Sequence, residues 1–143
     1  MENKNWMKLE FPSESVNVLF ARTAVAVFAS QLEITLEELE DIKVAVSEAV
    51  SNSVIHGYRD SHGTILLSAE ISDNAFVVTV EDYGCGIPDI EQAKETGYTT
   101  IPQERMGLGL IFIYELMDKV SITSEVNQGT KVVMTKEFVL QAT

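Results

Sequence analysis

The sequence predicts an α+β fold, with helices packed on one face of a mixed, mostly antiparallel sheet. Two segments with apolar residues at helical spacing come first, at about 15–32 and 35–56. Short strands linked through turn residues dominate the second half, and helices segregated from hairpins in this way make a helix layer over a sheet. A length of 143 residues, 45% of them apolar, fits one globular domain with a sizeable core, spanning 1–143.

Met7-Lys8-Leu9-Glu10-Phe11 alternates apolar and polar residues and reads as a short strand, ended by Pro12 and Ser13. In the first helix Val16, Leu19, Phe20, Ala24, Val27, Phe28 and Leu32 form the apolar stripe, and Arg22 projects from the other side. The second helix opens at Thr35. Thr35 and Glu38 have the spacing of a capping box, and Ile34 and Leu39 that of a hydrophobic staple. It runs to about His56, where Gly57 reads as the C-cap. Leu39, Ile42, Val46, Ala49 and Val50 share one side of this helix. Glu48 and Asn52 lie one turn apart on the opposite side, flanked by Val44, Ala45 and Ile55, so the second face is expected to line something other than bulk water.

Thr64 to Ile71 and Ala75 to Glu81 read as strands joined through Ser72-Asp73-Asn74. Asp82-Tyr83-Gly84-Cys85-Gly86 breaks the pattern. The stretch from Ile87 to about Arg105, with Pro88 and Pro102, has weak periodicity. A connection of that length is unusual inside a compact domain and reads as a lid, at about 87–106. Met106-Gly107-Leu108-Gly109 then opens a third helix, Leu110 to Met117. Strands of about Lys119 to Ser124 and Thr130 to Phe138 follow, separated by Asn127-Gln128-Gly129.

Twenty-two Asp and Glu against ten Lys and Arg leave a formal net charge of −12. So acidic a chain is a poor fit to direct nucleic-acid binding, which needs a basic surface, but it suits a partner with basic segments. The single cysteine, Cys85, excludes an internal disulfide and a Cys-cluster zinc site. No apolar run spans a membrane and no secretory signal core is visible, so a cytoplasmic protein is expected.

Three local patterns carry chemistry, each with a plainer alternative. Glu48-x-x-x-Asn52 is a common pair on a solvated helix face, yet Asn52 offers a carbonyl oxygen suited to a hard cation and Glu48 a proton acceptor one turn away. Asp82-x-Gly84-x-Gly86 after a strand is an ordinary turn, or else an acceptor for an exocyclic amine beside glycines that let a planar ring approach. Gly107-Leu108-Gly109 is a plain loop-to-helix joint, or a phosphate cradle at a helix start. The P-loop and the βαβ glycine fingerprint are both absent. His56 and His62 read as surface or capping residues, and Cys85 as a small half-buried side chain.

In order along the chain, Ser47-Glu48-Ala49-Val50-Ser51-Asn52-Ser53-Val54-Ile55-His56-Gly57-Tyr58, Asp82-Tyr83-Gly84-Cys85-Gly86, Met106-Gly107-Leu108-Gly109 and Gly129-Thr130 resemble the N box, the two glycine boxes and the glycine-threonine element of the GHKL ATPase/kinase superfamily. Phe20-Ala21-Arg22 and Ile55-His56-Gly57-Tyr58 look most like the bacterial anti-sigma factor serine kinases, the sporulation type before the general-stress type.

The resemblance implies a two-layer sandwich with ATP between the long helix, the lid and the sheet. It implies Mg²⁺ on Asn52, the adenine amine on Asp82 with Gly84 and Gly86 beside the ring, and Thr130 at the same end. Gly107 and Gly109 would line the phosphates, Leu108 between them and Thr99 and Thr100 of the lid would also bind the nucleotide, and Arg105 would meet the γ-phosphate. Glu48 would be the general base toward a serine of an anti-anti-sigma factor. Arg22 would sit on the surface shared by that factor and a sigma factor of the sporulation sigma F type, and a homodimer is expected. Met106, where relatives often carry a small polar residue, and Ile101, where a basic residue can occur, depart from the pattern. Two alternatives stand beside this: a detached histidine-kinase-type ATPase domain, and a nucleotide-gated binding module without catalysis.

Overall fold

A computed structural model describes residues 5–58, 62–87 and 101–138, with 101–108 as backbone alone. Strand β1 (Asn5–Pro12) leads through α1 (Val16–Ala29) and α2 (Leu36–Asn52) to β2 (Thr64–Ile71) and β3 (Ala75–Asp82). A π-helical turn, Ser53–Gly57, extends α2, and α3 (Ile101–Leu116) precedes β4 (Lys119–Glu125) and β5 (Gly129–Glu137). The strands form one sheet in the order β1-β2-β3-β5-β4. Every neighbouring pair is antiparallel, where a mixed sheet was expected. Two helices between β1 and β2 return the chain antiparallel, and β5 enters between β3 and β4, the two strands that would otherwise run parallel.

The register explains where the core ends. One inner row reads Met7, Ala69, Val78, Met134, Val120, and the next reads Leu9, Leu67, Val80, Val132, Ile122. Both are apolar from edge to edge. The third row begins as Phe11 and Ile65 but turns polar at Asp82, Thr130 and Ser124. Helix α2 covers the sheet with Ile42, Ala45, Val46, Ala49 and Val50, all buried. Each larger side chain there contributes about 1.5–3 kcal/mol of burial. The capping box at its start is formed: Glu38 N–H donates to Thr35 Oγ1 and Thr35 N–H to Glu38 Oε1, both at 3.0 Å. Lys136 Nζ donates to Asp41 Oδ2 at 3.2 Å and to Leu116 O at 2.8 Å, so one half-buried cation ties β5 to α2 and to the C-terminus of α3.

Three expectations are corrected. The core face of α1 is Ala21, Val25 and Ala29, while Val16, Leu19, Phe20 and Val27 are exposed. The helix is apolar on most sides, so periodicity misplaced the centre of the buried face, although Phe28 and Leu32 of the expected stripe do pack against the core. Arg22, next to Ala21, is consequently half-buried at the edge of the core rather than projecting from the far side. Gly57 does not end α2 in a left-handed conformation; positive φ occurs only at Asn127, Gly86 and Gly129 among the described residues. Finally, α3 starts at Ile101, nine residues before Leu110, so 101–106 of the expected lid are helical. Pro102 does not oppose this, because proline is tolerated in a first helical turn. The rest of the expected lid, 88–100, lies outside the described residues. Among the described residues, no helix is long and apolar enough to cross a membrane.

Candidate functional site

Asp82 and Thr130, from the polar half of the third inner row, form the floor of a cleft. Its walls include Asn52, Ser53, His56 and Gly57 from the end of α2, Gly86 and Ile87 after β3, Leu110 from α3, and Thr130 from β5. Asp82 closes β3 and is only 4% exposed. Its carboxylate is held from both sides: Ser53 Oγ donates to Oδ2 at 2.8 Å and Gly84 N–H donates to Oδ1 at 3.0 Å. A carboxylate oxygen has two lone pairs, so each keeps capacity for one further donor.

The π turn makes this possible. It carries Ser53 and His56, both turned inward and only 5% and 6% exposed. Such widened turns concentrate at functional sites. The turn is stitched to the chain leaving β3: Cys85 N–H donates to Gly57 O at 2.8 Å and Cys85 Sγ to His56 O at 3.0 Å. The approach is so close that a β-carbon on Gly84 would overlap the Gly57 carbonyl. Cys85 is half-buried, as expected, whereas His56 is buried rather than on the surface. His62 is exposed beside Glu14.

Tyr58 braces the same corner. Its hydroxyl accepts from Tyr83 N–H at 2.7 Å and donates to Thr64 O at 2.8 Å. Burial pushes the phenol pKa above its ordinary value, with the Asp82 carboxylate adding to the rise and the Tyr83 N–H opposing it.

Glu48 and Asn52 are half-buried on the face of α2 turned to α3. Their expected apolar flanks do not shield them: Val44 and Ile55 are exposed and Ala45 is in the core. What meets them is Gly109. A β-carbon there would lie 2.7 Å from Glu48 Oε2 and 3.4 Å from Asn52 Oδ1. Gly109 is therefore a close-approach glycine inside α3, not the start of a helix. The amides of a helix interior are engaged in their own ladder, so a phosphate cradle of free N–H groups at Gly107 and Gly109 is not formed in this structure.

The fold thus brings Asn52, Asp82, Gly86 and Thr130 into one cleft, with Gly84 beneath it and Gly109 over Glu48 and Asn52. Arg105, Gly107 and Leu108 fall in the first turns of α3. Thr99 and Thr100 lie outside the described residues. Arg22 is not part of the cleft; its Nε is buried and has no hydrogen-bond partner among the described residues. Ser53, Tyr58 and Ser124 carry no individual role in the sequence reading, and His56 only that of a surface or capping residue. Ser53 had a signal, its position beside Asn52, while Ser124 reaches the site only through strand register.

Comparison with known proteins bears on the fold and the family. The sequence profile of the histidine kinase-like ATPase domain matches residues 11–136. The anti-sigma F factor of Clostridium acetobutylicum is 46% identical over 141 residues, 98% of this chain and 97% of that protein. Those of Clostridium kluyveri and Geobacillus kaustophilus are each 47% identical, over 94% of this chain and 95% and 94% of theirs. Two solved structures share the fold. The RsbU and RsbW domains of Rv1364c from Mycobacterium tuberculosis match with a TM-score of 0.66 at 19% identity, over 98% of this chain and 35% of that one. The histidine kinase domain from Erythrobacter litoralis EL346 matches with 0.57 at 21%, over 88% and 61%. With this domain match over most of the chain, and relatives of this identity along nearly their whole length, the chain belongs to the histidine kinase-like ATPase domain family and, within it, to the anti-sigma F factors.

Proposed function

We propose that this chain is a protein serine kinase as well as an anti-sigma factor: it binds ATP with Mg²⁺ in the cleft, phosphorylates a serine of an anti-anti-sigma factor, and sequesters a sporulation sigma factor of the sigma F type. The observation that carries the reading is the pairing of Glu48 and Asn52 under Gly109, with Asn52 and Asp82 lining one cleft. A proton acceptor and a carbonyl ligand thus stand together, while the anchored carboxylate offers its spare lone pairs to a base.

The residues fit the ligand. Asp82 is held as an acceptor by two donors and suits an exocyclic amine. The missing side chain at Gly109 leaves a cradle that a β-carbon would fill. Asn52 would hold Mg²⁺ together with the phosphates; when bound, the ion neutralises charge on the transferred group. Among the described residues no cluster of three or more His, Cys, Asp or Glu competes as a metal site. Thr130 and Gly86 lie at the base end. Thr99, Thr100, Arg105, Gly107, Leu108 and Gly109 are assigned to the phosphates, which requires the first turns of α3 to release their amides.

Glu48 takes the serine proton as the serine oxygen attacks the γ-phosphorus. The bond from that phosphorus to the β-γ bridging oxygen breaks, and ADP keeps the electron pair. Positioning and charge neutralisation carry most of the rate. Arg22, with a buried Nε that lacks an acceptor, and the exposed stripe Val16, Leu19, Phe20 and Val27 on the same helix form the partner surface. The protein acts as a cytoplasmic homodimer.

The test is incubation with γ-labelled ATP, Mg²⁺ and purified anti-anti-sigma protein, followed by acid and base treatment. Acid-stable, base-labile label on the acceptor is expected. Acid-labile label indicates a histidine-kinase-type activity instead. No label with ATP bound indicates a gated binding module.

A further inference from the structure

Ser124 lies on β4, the outer strand of the sheet, and is not among the residues that line the cleft. Its hydroxyl nevertheless meets two residues that are. Ile87 N–H donates to Ser124 Oγ at 2.7 Å, and Thr130 Oγ1 lies 2.9 Å from the same oxygen. A third contact, to Gly129 O, measures 3.1 Å. The register sets Ser124 directly opposite Thr130, and Thr130 opposite Asp82. The polar half of the inner row is thus Asp82, Thr130, Ser124, in that order.

A serine hydroxyl has one hydrogen and two acceptor lone pairs. Ile87 occupies one lone pair. Gly129 O is an acceptor only, so Ser124 can reach it only by giving its hydrogen. Thr130 must then donate to Ser124, and it turns only lone pairs to the cleft. In the other arrangement Ser124 gives its hydrogen to Thr130. The Thr130 hydrogen is then free to point into the cleft, toward a ring nitrogen of a base. The site holds both options without leaving Ser124 unsatisfied, because the Ile87 bond is present in each.

We propose that Ser124 is a positioning residue for the base end of the nucleotide cleft: it fixes the Thr130 hydroxyl and the Ile87 amide, and lets Thr130 act as donor or acceptor. The inference rests on the reading of the cleft as a nucleotide site. It assigns Ser124 no contact with the ligand; all its effect passes through Thr130 and Ile87.

The test is calorimetric titration of ATP into the full chain and into Ser124→Ala, Ser124→Thr, Thr130→Val and the Ser124→Ala/Thr130→Val double variant, each checked by thermal melting. Ser124→Ala should weaken ATP about tenfold, the scale of one lost hydrogen bond. Ser124→Thr, which keeps the hydroxyl, should remain within about twofold. The double variant should bind no more weakly than Thr130→Val alone, since coupled groups are not additive. Equal affinity of Ser124→Ala and the native chain overturns the proposal, as does a loss that adds in full to that of Thr130→Val. If Ser124→Ala does not fold, Ser124→Thr decides: a loss in it of tenfold or more refutes the role. Failure of the native chain to bind ATP removes the nucleotide reading and this proposal together, whereas ATP binding with uncoupled Ser124 and Thr130 removes the proposal alone.

Discussion

Ser53 donates its hydroxyl hydrogen to Asp82 Oδ2 at 2.8 Å, and both side chains are buried. The other carboxylate oxygen receives Gly84 N–H. An asparagine at this position has one acceptor oxygen for two donors, so its NH₂ must face one of them or the base. Asp82→Asn should therefore weaken ATP by about 1.5–3 kcal/mol, the scale of a hydrogen bond to a charged group. Calorimetry checks this, and an unchanged Kd would refute the role of Asp82.

Gly109→Ala separates chemistry from folding. Inside a helix the exchange ordinarily stabilises by about 0.8–1 kcal/mol. Here the new methyl would lie 2.7 Å from Glu48 Oε2, the far end of a long side chain. Glu48 is expected to shift while the fold holds. The thermal midpoint should stay level or rise and single-turnover phosphoryl transfer should fall about tenfold or more, since small misplacements of reacting groups are costly. An unstable protein with a normal transfer rate would speak against this.

Tyr58 makes stability depend on alkaline pH. Its folded pKa is raised above the ordinary 10.0, chiefly by burial. The folded state therefore keeps the phenol proton where the unfolded chain has lost it. The associated stability is present below pH 10.0 and is lost as pH rises through the folded value. Tyr58→Phe should cost about 1 kcal/mol at neutral pH by removing the acceptor of Tyr83 N–H. Denaturant melts of the two proteins should also converge above pH 10, and a difference constant with pH would contradict the assignment.

Arg22→Ala removes a buried N–H that has no acceptor among the described residues, so no internal hydrogen bond at Nε is lost. Stability should change by less than about 1 kcal/mol and ATP affinity not at all. Binding of the sigma factor and of the anti-anti-sigma factor should fall at least about tenfold. Native-strength binding of both, by calorimetry, would take Arg22 off the partner surface.

The parts of this fold legible in the sequence are those decided by local chemistry. The Thr35–Glu38 capping box, the Ser72-Asp73-Asn74 turn and the alternating strands came out nearly at their observed bounds, because caps, turns and a period of two act within a few residues. Asn52, Asp82, Gly86 and Thr130 were legible as a set only through resemblance, and the fold brings them to one cleft. Less legible was whatever depends on partners far along the chain. The face of α1 was misjudged in part because Ala21, Val25 and Ala29 are the buried residues, while Phe28 and Leu32 of the expected stripe do pack against the core. Gly57 reads as a helix cap in the sequence, whereas in the structure it packs closely on Asp82, whose carboxylate a β-carbon there would meet at 3.0–3.1 Å. The start of α3 was misplaced because Gly107 and Gly109 look like breakers locally, while contact with Glu48 explains the second of them. Ser124 had no local signal at all.

The central claim is that Glu48 removes the proton of the attacking serine while Asn52 and Asp82 hold the nucleotide. It is tested most directly by single-turnover transfer from γ-labelled ATP to purified anti-anti-sigma protein, comparing the native chain with Glu48→Gln at saturating ATP and Mg²⁺. The account predicts ATP binding within a few-fold of native and transfer slowed by at least about a hundredfold, the range of a lost general base. ATP binding lost, with transfer per bound ATP unchanged, would contradict it.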